Sequence, residues 1–161
     1  MLTLYLIRHA KSSWAFDLPD HDRPLGKRGR KDVLKMGRYL SEHHSKPEVL
    51  ISSTASRAFY TALYICDQFG IDEGQIRLTK ELFHAGSNEI LNVIRSAPRS
   101  SSLAIFGHNP GLTDCANRLC GSEIENVPTC GVVGITFNLD HWKDVSFGSG
   151  RQEFFMSPKG V

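Results

Sequence analysis

Leu2-Thr3-Leu4-Tyr5-Leu6-Ile7-Arg8-His9-Ala10 lies at the start of the sequence, an apolar and β-branched run that stops at an arginine, a histidine and a small residue. The apolar part is too short to cross a membrane and shows no polar alternation, so it predicts a central strand buried on both faces. Such a strand carries whatever follows it to one edge of a sheet, and in open α/β sheets that edge is where ligands sit. A guanidinium and an imidazole delivered there together predict an anion site.

Working outward from this strand, Lys11 to Pro24 is polar and rich in Asp, Ser, Pro and His, which predicts a long surface loop of a kind that is often functional. From Leu25 to about His44, Val33, Met36 and Leu40 recur at helical spacing, with Lys27, Arg28, Arg30, Lys31 and Lys35 crowding the first turns. Val49-Leu50-Ile51 reads as a second buried strand. It runs into Ser52-Ser53-Thr54-Ala55-Ser56-Arg57, a hydroxyl-rich turn able to cap the next helix. That helix carries Ala58, Ala62, Ile65 and Phe69 on one face and should stop at Gly70. Arg57 falls in or beside its first turn, where a cation opposes the helix dipole, so another group must hold it.

Ile76-Arg77-Leu78 predicts a third, short strand, followed by a loop from Glu81 to Gly86. Ser87 can cap a helix with Ile90, Leu91 and Ile94 inward, ending before Pro98. Ser101 to Phe106 is again a buried strand and ends in Gly107-His108-Asn109-Pro110-Gly111. Asn109 as N-cap and Pro110 in the first helical position predict a helix start, with Leu112, Cys115, Ala116 and Leu119 inward and Gly121 as the stop. Val132 to Leu139 and Glu153 to Met156 predict two closing strands, antiparallel across Gly148-Ser149-Gly150. The order predicts an α/β fold, a three-layer α/β/α sandwich on a mostly parallel mixed sheet, in a single domain over residues 1–161.

Bulk properties narrow the function classes. With 161 residues the chain can bury one core of respectable size. Its 40% apolar and 22% charged content is that of an ordinary globular protein. A formal charge of +2 makes no case for nucleic acid or a membrane surface. The N-terminus lacks a basic segment followed by a signal-type apolar run, so a cytoplasmic location is expected. The cysteines, Cys66, Cys115, Cys120 and Cys130, form no Cys-x-x-Cys pair and read as buried free thiols rather than a zinc site or a disulfide framework.

Three of these motifs share one geometric position. Arg8 and His9 follow the first strand, Arg57 follows the second at a helix start, and His108 follows a later strand at another helix start. If the strands are parallel, all four side chains gather at one carboxyl edge, and two arginines, two histidines and two helix N-termini suit a dianion. Each residue taken singly has a plain alternative as a surface ion-pair or loop residue; their conjunction points to phosphate.

The same residues carry a resemblance. Arg8-His9-Ala10 resembles the Arg-His-Gly signature of the histidine phosphatase superfamily, with alanine in the third place, and Ser53-x-x-x-Arg57 and Gly107-His108-Asn109-Pro110-Gly111 match its later motifs in order. Asp22-Arg23-Pro24-Leu25, then Gly29, resembles the small SixA-like phosphohistidine phosphatase branch. The resemblance, from Leu4 to about Met156, implies a phosphoglycerate-mutase-like fold and a phosphatase working through a covalent phosphohistidine. It gives His9 the role of nucleophile, and it implies no metal or other cofactor. Arg8 and Arg57 would clamp the phosphoryl oxygens with forks that lysine cannot reproduce, and His108 would donate a further hydrogen bond. Arg23 is either another contact or a loop arginine paired with Asp20 or Asp22. Ser12, Ser13 and Lys11 are weaker candidates for touching the phosphate.

A proton donor is not assigned: Glu81 and His84, in the loop after the third strand, are the candidates. Larger relatives roof the site with inserted segments, for which this sequence has little room beyond Lys11–Pro24. A phosphoryl group on another protein, phosphohistidine above all, is therefore the expected substrate, with small phosphoesters as the alternative. The basic helix start either steers an acidic protein partner or is a solvated face. No nucleic-acid or membrane partner is expected, and the oligomeric state is open. A phosphate-binding module without turnover, and a metal-dependent hydrolase built on Asp17, Asp20, His21 and Asp22, are the rival classes.

Overall fold

The computed structural model describes residues 1–161. In chain order its elements are β1 (Leu2–Arg8), α1 (Lys27–His43), β2 (Val49–Ser53), α2 (Ser56–Phe69), β3 (Ile76–Thr79), α3 (Ser87–Arg95), β4 (Ser102–Gly107), α4 (Gly111–Cys120), β5 (Val132–Phe137) and β6 (Gly150–Met156). The strands form one sheet in the order β3-β2-β4-β1-β5-β6. β1, β2, β3 and β4 run parallel, and β5 and β6 close the sheet antiparallel. This is the mostly parallel mixed sheet expected from the sequence.

β1 shows why the sequence carries no polar alternation. Successive side chains leave a strand on opposite faces, and here both faces are core. Leu2, Leu4 and Leu6 pack with Ile90, Ile94, Leu112 and Leu119 of α3 and α4. Tyr5 and Ile7 pack with Val33, Met36, Ala62 and Ile65 of α1 and α2. β4 divides in the same way, Leu103 and Ile105 to one core, Ala104 and Phe106 to the other. Two helices cover each face, which makes the three layers. At the edge, β6 is mostly exposed and carries Arg151 and Glu153, charges that discourage pairing with another chain.

The glycine stops fall where expected: α2 ends at Gly70 and α4 at Gly121, both left-handed. Several starts are corrected. α1 opens at Lys27 rather than Leu25. α3 has Gly86, not Ser87, as its N-cap, because the Ser87 hydroxyl accepts from Arg118 instead (2.7 Å). α4 opens at Gly111, with Pro110 in the cap position. Asn109, two residues before that start, still does a cap's work, since its Oδ1 accepts from the Thr113 N–H (3.1 Å) and hydroxyl (2.8 Å). β5 stops at Phe137 rather than Leu139, and β6 begins at Gly150 rather than Glu153.

Candidate active site

The sheet register levels three strand ends. Arg8 of β1 lies opposite Gly107 of β4, and Ser52 of β2 lies opposite Phe106, which puts Ser53 beside Gly107. Arg8, His9, Arg57 and His108 therefore meet at the carboxyl edge of three adjacent central strands. The His9 and His108 rings lie 5.2 Å apart between centroids. A cavity of about 380 Å³ opens there, and these four residues line it with Arg23, Ser12, Lys11 and His84.

His9 is fixed at both ends. Its N–H donates to the Gly107 carbonyl (3.1 Å) and its own carbonyl accepts from the Cys130 N–H (3.0 Å). The ring Nδ1 lies 2.7 Å from the Ala10 carbonyl. A carbonyl only accepts, so Nδ1 carries the proton and Nε2 keeps the lone pair. Burial is the main cause that pushes the His9 pKa down to about 4; the Ala10 hydrogen bond opposes it, and Arg57, Arg8 and Arg23 lower it further. His9 is therefore neutral at pH 7. The next residue must be small: Ala10 is fully buried, and its N–H donates to Thr61 Oγ1 (2.9 Å), whose hydroxyl donates to the Arg57 carbonyl (2.6 Å). The turn after His9 is thereby tied to the first turn of α2.

His108 Nε2 lies 2.8 Å from Ser53 Oγ, so a β2 hydroxyl sets the ring that follows β4. Burial, then His9 and Arg57, push its pKa down to about 3. Its Nδ1 and the Nε of Arg8 are buried without hydrogen-bond partners, an exception to the rule that buried polar atoms are satisfied, and both belong to side chains of the cavity wall. Arg8 is anchored through its NH1 to the Val127 carbonyl (3.0 Å).

The group that holds Arg57 is Asp20. Arg57 NH1 donates to the Asp20 carbonyl (2.7 Å) and NH2 to its carboxylate (3.0 Å). Arg23 reaches the other carboxylate oxygen through Nε (3.1 Å) and NH2 (2.9 Å), while its NH1 donates to Ser12 Oγ (2.7 Å). Of the alternatives for Arg23, the pairing is with Asp20 rather than Asp22, and the paired side chain also lines the cavity. Burial would raise the Asp20 carboxyl, but the hydrogen bonds and charges of Arg23 and Arg57 outweigh it and hold the pKa below the usual range. The Arg23 guanidinium carbon lies 3.5 Å over the ring centroid of Trp14, which is also in the lining.

The two proton-donor candidates separate. His84, at φ 58°, turns into the lining, with Nε2 3.8 Å from Asp20 Oδ2. Glu81 is exposed, with its N–H bonded to Thr79, and takes no part in the cavity wall. Two glycines press backbones together around the site. A Cβ on Gly29 would come 2.1 Å from the Lys11 carbonyl oxygen, and one on Gly111 would come 1.9 Å from that of Ala85. Both loops of the rim, one after β1 and one after β3, are thereby seated on helices.

Of the loop acids, Asp20 is engaged by arginines and His21 bonds to Thr54 (2.8 Å) and Asp22 (3.0 Å); no three acidic, histidine or cysteine side chains converge as a metal-ligand set. The basic residues Lys31 and Lys35 face elsewhere, into a groove of about 620 Å³ between α1 and Val161 that contains none of the strand-end residues. All four cysteines are free thiols, with Cys120 the least buried. No helix is long and apolar enough to cross a membrane. The sequence offers Asp20 as a counter-ion of Arg23, three residues on, and as one of the loop acids of the metal-site alternative, but nothing local links it to Arg57. Ser53 was quoted only as part of a motif, and Thr61 carried no signal.

Comparison with known proteins bears on the family and the fold. Residues 4–92 match the histidine phosphatase superfamily (branch 1). An uncharacterised chloroplastic protein of Arabidopsis thaliana is 31% identical over 157 residues, covering 91% of this chain and 72% of that protein. The structure of the protein assigned as phosphohistidine phosphatase SixA in Agrobacterium tumefaciens superposes with a TM-score of 0.83 at 25% identity, covering 98% of each chain. A protein histidine phosphatase SixA solved with tungstate shares the fold at a TM-score of 0.79 and 20% identity, again covering 98% of both.

Proposed function

We propose that this chain, which belongs to the histidine phosphatase superfamily and resembles its SixA-like members, hydrolyses phosphohistidine on a protein through a phosphoryl group carried on His9. Superfamily membership supports phosphatase chemistry; the substrate and the residue roles are our reading. The observation that carries it is His9: a neutral imidazole with Nδ1 engaged by a carbonyl and Nε2 free, at the floor of a cationic cavity.

His9 Nε2 attacks phosphorus in line, the bond from phosphorus to the substrate's ring nitrogen breaks, and that nitrogen takes up a proton as it leaves. Water then attacks the phosphoryl group on His9 and releases inorganic phosphate. Such a transfer asks the protein for positioning and for positive charge around the equatorial oxygens. Arg8, Arg57 and Arg23 supply the charge, and His108 donates to a further oxygen. Ser12 acts through Arg23, whose fork it anchors. His84, at the rim, is the side chain able to give the departing nitrogen its proton, and Glu81 has no part. The open mouth, bordered by the 11–24 loop with Trp14 77% exposed, supports a substrate presented on a protein surface.

The test is a panel of a histidine-phosphorylated protein and small phosphoesters, each followed by mass spectrometry of the acid-labile phosphoenzyme. Turnover of the phosphoprotein, with phosphate trapped on His9 and none in His9→Ala, is the expected result. Faster turnover of a small phosphoester would move the assignment to that class. Phosphate binding without any phosphoenzyme would make the chain a binding module.

A further inference from the structure

Asp20 places a carboxylate in the wall of a cavity otherwise built for an anion, next to two guanidiniums that would be needed for the substrate. On the reading that this cavity takes a phosphoryl group, we propose that Asp20 is its positioning residue: the carboxylate sets the Arg23 and Arg57 forks and, as a fixed counter-charge, weakens their hold on released phosphate.

The geometry separates a strut from a plug. A plug would be a side chain that swings away when substrate arrives. Asp20, however, also holds Arg57 through its backbone carbonyl at 2.7 Å, within the tight turn Asp20–Asp22. Rotating the side chain would leave that contact in place. The carboxylate itself is divided, one oxygen to each arginine. Both arginines are almost fully buried, so neither can relax into solvent.

A count of donors shows what remains for substrate. A guanidinium has about five N–H groups. Arg57 spends two on Asp20, and Arg23 spends two on Asp20 and one on Ser12, so three and two respectively stay unengaged. Those N–H groups lie in the guanidinium plane, and Trp14 stacks against one face of Arg23. Asp20 therefore consumes one edge of each fork and turns the rest to a fixed direction, as bidentate pairing does in general. The cost is charge. A carboxylate beside an incoming dianion disfavours it, and that penalty applies to bound product as well as to substrate. His84, 3.8 Å from the same carboxylate, is the other titratable group facing it.

The experiment is calorimetric titration of the folded protein with inorganic phosphate, together with kcat and KM on the phosphorylated substrate, for the wild type and Asp20→Asn. Asparagine keeps the volume and removes the charge. Phosphate should bind at least about threefold tighter while kcat falls about tenfold or more, opposite directions that simple loss of folding cannot give. A smaller change in either quantity, or weaker phosphate binding, overturns the proposal. If Asp20→Asn does not fold, Asp20→Glu decides. It keeps the charge and displaces it by one methylene, so kcat should fall about tenfold with phosphate affinity within about threefold of wild type, and an unchanged kcat overturns the proposal. A wild type that neither binds phosphate nor turns over substrate would instead remove the phosphoryl reading itself. A competent wild type with an indifferent Asp20→Asn removes only the role of Asp20.

Discussion

Lowering the pH should leave His9 able to attack long after an ordinary histidine has been silenced. Burial first, and then the neighbouring guanidiniums against the Ala10 hydrogen bond, bring its pKa from an ordinary 6.5 to about 4. At pH 5 such a group is about 90% neutral, whereas an unperturbed histidine is about 3% neutral, roughly a thirtyfold difference in competent nucleophile. The kcat/KM for phosphoenzyme formation reports ionisations of the free enzyme and is the quantity to follow. Once the substrate's own phosphoryl titration, measured by phosphorus NMR, is divided out, the rate should fall by less than about twofold from pH 7 to pH 5, protonation of a donor acting only in the opposite direction. The His9 ring protons should titrate with a midpoint near 4. A fall of about 25-fold, as for an ordinary histidine, or a midpoint near 6.5, would refute the argument that the pocket keeps this ring neutral. The same shift has a stability counterpart. The unfolded chain takes up a proton near pH 6.5 that folded His9 refuses until about 4 and folded His108 until about 3. Stability is therefore full above about pH 6.5 and declines as the pH falls through that window, by on the order of 3 kcal/mol for a shift of the His9 size.

Replacing Arg57 by lysine keeps the charge but loses the fork, and should cost about 2–4 kcal/mol of transition-state stabilisation, read as a fall in kcat/KM of roughly 30- to 1000-fold; an effect under about threefold would remove Arg57 from the clamp. Gly111→Ala drives a Cβ to 1.9 Å from the Ala85 oxygen. It should lower stability by about 1–3 kcal/mol, seen as a reduced thermal midpoint, and an unchanged midpoint would show that the loop after β3 is not seated on α4. His84→Gln should slow turnover of substrates with a poor leaving group while Glu81→Gln leaves them alone, and the reverse ranking would return the proton donor to Glu81.

The sequence carried the central strands because β1 and β4 are buried on both faces, and an unbroken apolar run is how that looks in one dimension. It also showed that Arg57 needed a partner, since a cation in the first turn of a helix is unfavourable. The partner's identity was out of reach, because Asp20 lies thirty-seven positions away in a loop with no period to read. Strand order was hidden for a similar reason: β4 pairs with both β1 and β2, contacts that no local pattern encodes. His84 and Glu81 could not be told apart, because the choice rests on a left-handed backbone at His84 that composition does not announce. Asn109 is legible as a capping side chain, yet the helix begins two positions later, because the Asn109 Oδ1 reaches the Thr113 N–H across Pro110.

The seat of β4 between β1 and β2 has a consequence for how the protein comes into being. A nascent polypeptide holds Arg8, His9 and Arg57 well before Ser102–Gly107 leaves the ribosome, yet the middle stave that brings those three into one basin, and His108 with it, is still missing. The anchors of Arg8 and His9, Val127 and Cys130, come later still, so a complete basin draws on both ends of the chain, and after denaturation turnover should return no sooner than that stave is in place.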